Sequence, residues 1–276
     1  PHLPWHVPQK YFDIYPIEEI IIPPKIHNDL DDLPSIGIEL AKKRSKDYFT
    51  IKNSGKIKYA IQAYLASISF ADDQVGRVLE GLEKSKYSKN TIVILWSDHG
   101  WHLGSKDHWH KGTLWEESTR IPFIIKAPNS RGNGNKCHRA VDMVNVFPTL
   151  ISLCKLNPKS DLDGYDMSSL LTNPDSNWNY PAITEFGKGN VSVRSEKWRY
   201  IRYSDGSEEL YDLENDPYEW KNVEKDEIMA KVKYDHSIWV PKVFKSAVPG
   251  KNAFYFDPYK YTFLNRKTKD FIDGHE

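Results

Sequence analysis

Thr91-Ile92-Val93-Ile94-Leu95-Trp96, followed directly by Ser97-Asp98-His99-Gly100-Trp101-His102-Leu103-Gly104, is the stretch on which the fold of this chain turns. Six apolar or β-branched residues in succession, with helical patterns on both sides, predict a strand buried on both faces of a parallel sheet. Ligands of such sheets gather at the carboxyl ends of the strands. Asp98 and His99 leave that end, and Gly100 lets the backbone turn sharply, so a carboxylate oxygen and an imidazole nitrogen can point at one ion. Taken alone, the two residues read more simply as a β–α turn whose Asp caps the next helix. Upstream, apolar residues from Ile57 to Leu82 recur at three- and four-residue spacing with polar residues between them. They predict a long amphipathic helix that ends between Gly81 and Ser88 and feeds the strand, one α–β step of a doubly wound sheet. Asp72 and Asp73 within it read as a solvated face.

The residues from Lys106 to Pro128 add to this. Lys106-Asp107-His108-Trp109-His110-Lys111-Gly112-Thr113-Leu114-Trp115-Glu116-Glu117-Ser118 sets cationic, imidazole and indole side chains beside an acidic pair, ahead of Thr119-Arg120-Ile121-Pro122-Phe123-Ile124-Ile125-Lys126-Ala127-Pro128. The whole stretch resembles the sulfatase family of the alkaline phosphatase superfamily. There, S-D-H-G or S-D-N-G ends a central strand and supplies two ligands of a divalent ion, usually calcium. A Lys after the following loop binds the substrate's sulfate, and T-R-x-P-x-I-x-x-P returns to the sheet. The resemblance implies Asp98 and His99 as metal ligands and Lys111 as a catalytic cation. His rather than Asn at position 99 is most similar to the iduronate-2-sulfatase branch. Pro1-His2-Leu3-Pro4-Trp5 and Pro8 to Pro16 are similar to the K-P-H-x-P-F … Y-P segment of that branch, which implies that His2 reaches the scissile ester. An exposed terminal imidazole is the other reading of His2.

The fold this implies is α/β, a doubly wound mostly parallel sheet of alkaline-phosphatase type over residues 1–170, with a small antiparallel carboxy-terminal subdomain and tail over 171–276. The activity it implies is hydrolysis of sulfate from a sulfated sugar or polysaccharide, in a periplasmic or secreted enzyme. His102, His108 and His110, with Trp101 and Trp109, would form a sugar-contacting subsite, His108 foremost. A loop of mutually packed aromatic rings is the alternative. Calcium and formylglycine are the cofactors implied. Neither Cys137 nor Cys154 stands in the C-x-P-x-R setting that formylglycine requires. The nucleophile and the remaining metal ligands are therefore expected in an amino-terminal part of the same enzyme, of which this chain would be the carboxy-terminal part. A phosphoesterase of the same superfamily and a non-catalytic glycan-binding fragment are the rival functions.

Composition bounds these readings. Lys plus Arg and Asp plus Glu each total 38 in 276 residues, so no whole-chain field draws nucleic acid. No run of about 18 apolar residues exists, so no helical membrane span is expected in a soluble chain. Cys137 and Cys154 are expected to be free or weakly structural, Cys154 as a buried inert thiol, and their separation neither requires nor excludes one bond. Ser35 to Ser54 is lysine-rich and weakly periodic, which suggests a solvated surface insertion. A helix is expected over Val144 to Lys155. Val191 to Arg194, Trp198 to Tyr203 and Glu209 to Leu213 alternate as short strands, and Asp205-Gly206 signals a hairpin. Glu209 to Asn222 reads as turn and capping chemistry, and the tail from His236 onward as an aperiodic wrap over the surface, beside the substrate entrance.

Overall fold

Apolar residues one helical turn apart fix the first element that positions the candidate site. In a computed structural model that describes residues 2–244 and 254–273, they form α4, Ile57–Glu83, with Ile61 and Ala66 buried. Ahead of it lie α1 (Gln9–Phe12), α2 (Ser35–Lys42) and α3 (Ser45–Asn53). The expected solvated insertion is thus two packed helices. Each is too short to show clear periodicity, yet Ala41 and Tyr48 anchor them in the interior.

The strand β1 spans Val93–Trp96 and is followed by the short ladder of β2 (His102–Leu103) and β3 (Trp109–His110). Next come the single turn α5 (Glu116–Thr119) and strand β4 (Phe123–Lys126). β4 returns beside β1 in antiparallel register, from Val93 opposite Lys126 to Trp96 opposite Phe123. All described ladders are antiparallel, so the parallel neighbours expected of β1 are not among the described residues. Nor is β1 buried on both faces: Trp96 is 48% and Ile124 of β4 57% exposed.

Further on, α6 (Val146–Leu153) and α7 (Ser168–Thr172) precede a four-stranded antiparallel sheet. Its strands β5 (Ala182–Glu185), β6 (Val191–Arg194), β7 (Trp198–Arg202) and β8 (Glu208–Asp212) pair in sequence order. Gly206, at φ +88°, makes the β7–β8 hairpin that Asp205-Gly206 predicts. Both cysteines are free, and Cys154 is exposed at the end of α6, not buried as expected. The helix α8 (Ala230–Ser237) completes the first of two compact units, Pro1–Val240. The boundary expected at 170 falls inside that unit. The second unit, Pro241–Glu276, holds a meander of β9 (Phe254–Asp257), β10 (Thr262–Asn265) and β11 (Phe271–Asp273), where an aperiodic tail was expected. Residues 245–253 and 274–276 of that tail lie outside the described residues.

Two buried clusters support the β1–β4 connection. Leu33, Ala41, Leu114, Trp115, Ile201, Tyr203 and Tyr211 join α2, the connection and the four-stranded sheet. Ile20, Tyr48, Ile61 and Trp109 join it to α3 and α4. Each such side chain stabilises by about 1.5–3 kcal/mol on burial, so the loop is packed from both sides. Among the described residues no helix is long and apolar enough to cross a membrane.

Candidate active site

Asp98 and His99 leave β1 at its carboxyl end, and the turn is tied by Ser97, whose hydroxyl donates to the His99 carbonyl at 2.8 Å. Gly100 is required here for a reason other than the one the sequence suggests. A Cβ on it would lie 2.0 Å from the Glu117 carbonyl oxygen, because the Gly100 N–H donates to Ser118 at 2.8 Å and draws the two backbones together. The glycine serves close approach rather than a left-handed turn.

The Asp98 side chain is 80% exposed, with its carboxylate 3.4 Å from His99 Nε2. His99 Nδ1 faces the Gly100 carbonyl at 2.8 Å and must donate to it, which makes Nε2 the acceptor for the Lys111 ammonium 2.7 Å away. A carboxylate, an imidazole lone pair and an ammonium therefore converge at the strand end, twelve residues of loop being folded back to bring them together.

That loop is strained. Lys106 (φ 53°), Asp107 (φ 51°) and His110 (φ 104°) lie in a backbone region that favours glycine, as do Gly104 and Gly112. Non-glycine residues there cost of order 1–3 kcal/mol each and concentrate at functional sites. The surrounding structure holds the conformation. The buried Lys106 ammonium contacts Asp29 at 2.6 Å and donates to the Glu219 carbonyl. Asp29 also accepts the Lys106 N–H at 2.9 Å, and Asp107 pairs with Lys25. Trp115 donates its indole N–H to Glu209 at 2.8 Å, and the Glu116 N–H donates to Glu219 at the same distance. Arg199, itself buried, lies between Glu116 and Glu219. Burial pushes Glu219 up to about 7 against the pull of Arg199. Burial likewise raises Glu209.

The residues expected to contact sugar divide. His102 is fully buried, its nitrogens 2.7 Å from Ser105 Oγ and 2.8 Å from Thr113 Oγ1, and burial holds its pKa well below the ordinary imidazole value. His108 is buried with Nδ1 2.8 Å from the Ala41 carbonyl and Nε2 3.3 Å from that of Lys111. Burial lowers its pKa too. Trp109 is buried in the cluster with Ile61. These three fix the loop from within. Trp101 and His110 remain half-buried, ring centres 4.7 Å apart, and His110 reaches Asp47 at 3.0 Å.

His2 is exposed, and among the described residues it bonds its own neighbour, the Leu3 carbonyl, at 2.7 Å. What ties its segment to the loop is Trp5, which sequence reasoning passed over although it stands inside the P-H-x-P-W motif. Its ring lies 5.4 Å from Trp101 and from Tyr64 of α4, and Trp101 is 6.3 Å from His99. The indole N–H groups of Trp5 and Trp101 are buried without a hydrogen-bond partner among the described residues. Asp29, Arg199 and Glu219 were missed as well. Their partners lie far away in the sequence, so no local signal marks them.

A divalent ion of the calcium type takes oxygen ligands. Asp98 fits that demand. His99 does not complete the shell, since imidazole suits such an ion poorly and its lone pair is turned to Lys111. Among the described residues no group of three or more His, Cys, Asp or Glu side chains converges as a metal site.

Known proteins resemble this chain in sequence and in fold. A sequence model described as Sulfatase matches residues 1–156, and one described as N-sulphoglucosamine sulphohydrolase, C-terminal, matches 104–239. A sulfatase of Formosa agariphila is 39% identical across 99% of this chain and 53% of its own length. Human iduronate 2-sulfatase is 28% identical over 56% of this chain and 34% of its own. A solved structure described as complexed with its substrate D-glucosamine-2-N,6-O-disulfate superimposes with a TM-score of 0.66 at 21% identity, over 87% of this chain and 62% of that one. The chain spans about half the length of two curated relatives it matches, a sulfatase and an arylsulfatase. On the match over 1–156 and the 39% identity across nearly its whole length, the chain belongs to the sulfatase family.

Proposed function

We propose that this chain supplies part of the active site of an enzyme that releases sulfate from a sulfated sugar. The observation that carries the reading is the convergence of Asp98, His99 and Lys111 at the carboxyl end of β1. A sulfate ester is anionic, and its cleavage spreads charge over the sulfuryl oxygens and the leaving oxygen, so a site for it needs fixed cations. Lys111 is such a cation, and His99 aims it by accepting from its ammonium. Asp98 offers oxygen donors to a calcium ion, which when bound supplies a fixed divalent charge toward the ester. The nucleophile, a formylglycine in this reading, would come from an amino-terminal part of the enzyme. His2, exposed at the surface, can hydrogen-bond the bridging oxygen and protonate the departing sugar hydroxyl. Half-buried Trp101 and His110 are the loop residues this reading assigns to the sugar.

A sugar substrate of the iduronate-2-sulfatase kind is supported by His99 and by the similarity to the human enzyme of that name. A periplasmic or secreted setting belongs to the same reading. The exposed apolar surface of Trp96, Leu95 and Ile124 supports packing of β1 and β4 against an amino-terminal part of the enzyme. The 276-residue chain by itself should then release no sulfate and should aggregate, and measurable release from it would contradict the missing nucleophile.

Assaying the whole enzyme on sulfated oligosaccharides and on matched phosphate monoesters tests the reading. Sulfate release is expected to dominate. Phosphate release with no sulfate released would replace it with the phosphoesterase alternative.

A further inference from the structure

A cleft of about 410 Å³ opens where the segment before β5, the β6–β7 turn and the end of α8 meet, and none of its lining residues belongs to the Asp98–His99–Lys111 cluster. Four rings line it: Trp178, Tyr180, Trp198 and Trp239. Their placement is fixed from behind. Trp178 donates its indole N–H to the Ala140 carbonyl at 2.8 Å, and Tyr180 stacks on Tyr165 at 3.6 Å with 14° between the planes. Trp239 meets Tyr180 edge-on at 6.2 Å, and Tyr180 stays 37% exposed. Rings held in this way lose little conformational freedom when a ligand packs on them.

The charges around the rings cancel locally. Glu196 pairs with Arg139, Lys197 with Glu214 at 2.8 Å, and Asp235 with Lys231 at 2.6 Å. His236, also in the lining, is buried between the Val232 carbonyl at 2.7 Å and Ser195 Oγ at 2.8 Å. Among the described residues the cleft thus offers no unpaired cation to a sulfate group and no unpaired carboxylate to an amine. It offers aromatic surface and exposed polar groups, among them the Asn179 amide. That combination suits a ring with apolar C–H faces and hydroxyl edges.

We propose that this cleft binds an uncharged pyranose unit of a glycan chain, a subsite separate from the sulfate-binding cluster. The choice of sugar among uncharged ligands rests on the glycan reading above, but the test is read as binding, without turnover.

The whole enzyme is titrated by calorimetry with neutral hexasaccharides of galactose, glucose and xylose, beside a sulfated galactose hexamer and choline. At least one neutral hexasaccharide should bind, and Trp239→Ala and Tyr180→Ala should each weaken that binding about tenfold. Trp239→Phe keeps a ring and should retain it. Sulfate release from a small aryl sulfate should be unchanged in all three variants. Binding of none of the neutral hexasaccharides would overturn the proposal, as would binding indifferent to both alanine substitutions or a cleft-dependent response to choline alone. If the enzyme releases sulfate but binds no neutral hexasaccharide, the cleft proposal fails while the hydrolase reading stands. The opposite pair of results supports the cleft and overturns the hydrolase.

Discussion

Lys106 and Lys111 stand five residues apart on one loop and are used in opposite ways. Lys106 is buried against Asp29 and the Glu219 carbonyl, with no ordinary route to a ligand. Lys111 sends its ammonium out to His99 beside an exposed Asp98. The difference comes from what surrounds each. The first half of the loop meets acids brought by α2's approach segment and by the carboxy-terminal sheet, while the second meets the open end of β1. A strained loop can present a charge only if its other charges are satisfied, so the buried ionic network beneath is what makes the exposed cluster possible.

Separating the two halves gives the largest expected effect first. Lys106→Ala leaves Asp29 buried without its ammonium, and breaking such a pair costs about 3–5 kcal/mol. Chemical denaturation should show that loss, and a change under about 1 kcal/mol would mean the network does not hold the loop. Next comes the pH dependence of Glu219. Its folded value of about 7 lies above the ordinary 4.5, so the stability it contributes is present below about 4.5 and lost as pH rises to about 7. Relative to Glu219→Gln, the wild-type enzyme should therefore lose roughly 3 kcal/mol at most between pH 4.5 and 7.5. A difference that stays flat or grows over that range contradicts the assignment. His102 acts with the other sign. Its value is held below about 6.5, so its contribution is present above that pH and lost as pH falls. The smallest effect is at the exposed end: His2→Ala should lower sulfate release about tenfold, near 1.4 kcal/mol, with unchanged melting. Wild-type turnover would remove His2 from the chemistry.

Much of the exposed half is legible in the sequence because it is local. The apolar run ending in Asp98-His99 and the spacing to Lys111 sit within twenty residues, and the structure joins all three at the end of β1. The helix Ile57–Glu83 and the Asp205-Gly206 hairpin are legible for the same reason, a periodicity or a turn signal contained in one stretch. The buried half is not. Trp115 finds Glu209 94 residues on, Glu116 finds Glu219 103 residues on, and nothing local marks His102 and His108 as interior. Imidazoles beside tryptophans read as readily as a sugar subsite as they do as core. The exposed faces of β1 and β4 defeat a sequence reading in the opposite direction, since an apolar run says that a strand should be covered but not by which chain segment.

The division between the two lysines is tested most directly by Lys111→Ala in the whole enzyme, followed by sulfate release and thermal melting on the same sample. Removing a fixed cation at the reacting ester should lower kcat/KM by about a hundredfold or more, while the melting temperature stays within about 2 °C of wild type. Undiminished sulfate release, or a loss of activity that merely tracks unfolding, would contradict the placement of Lys111 in the active site.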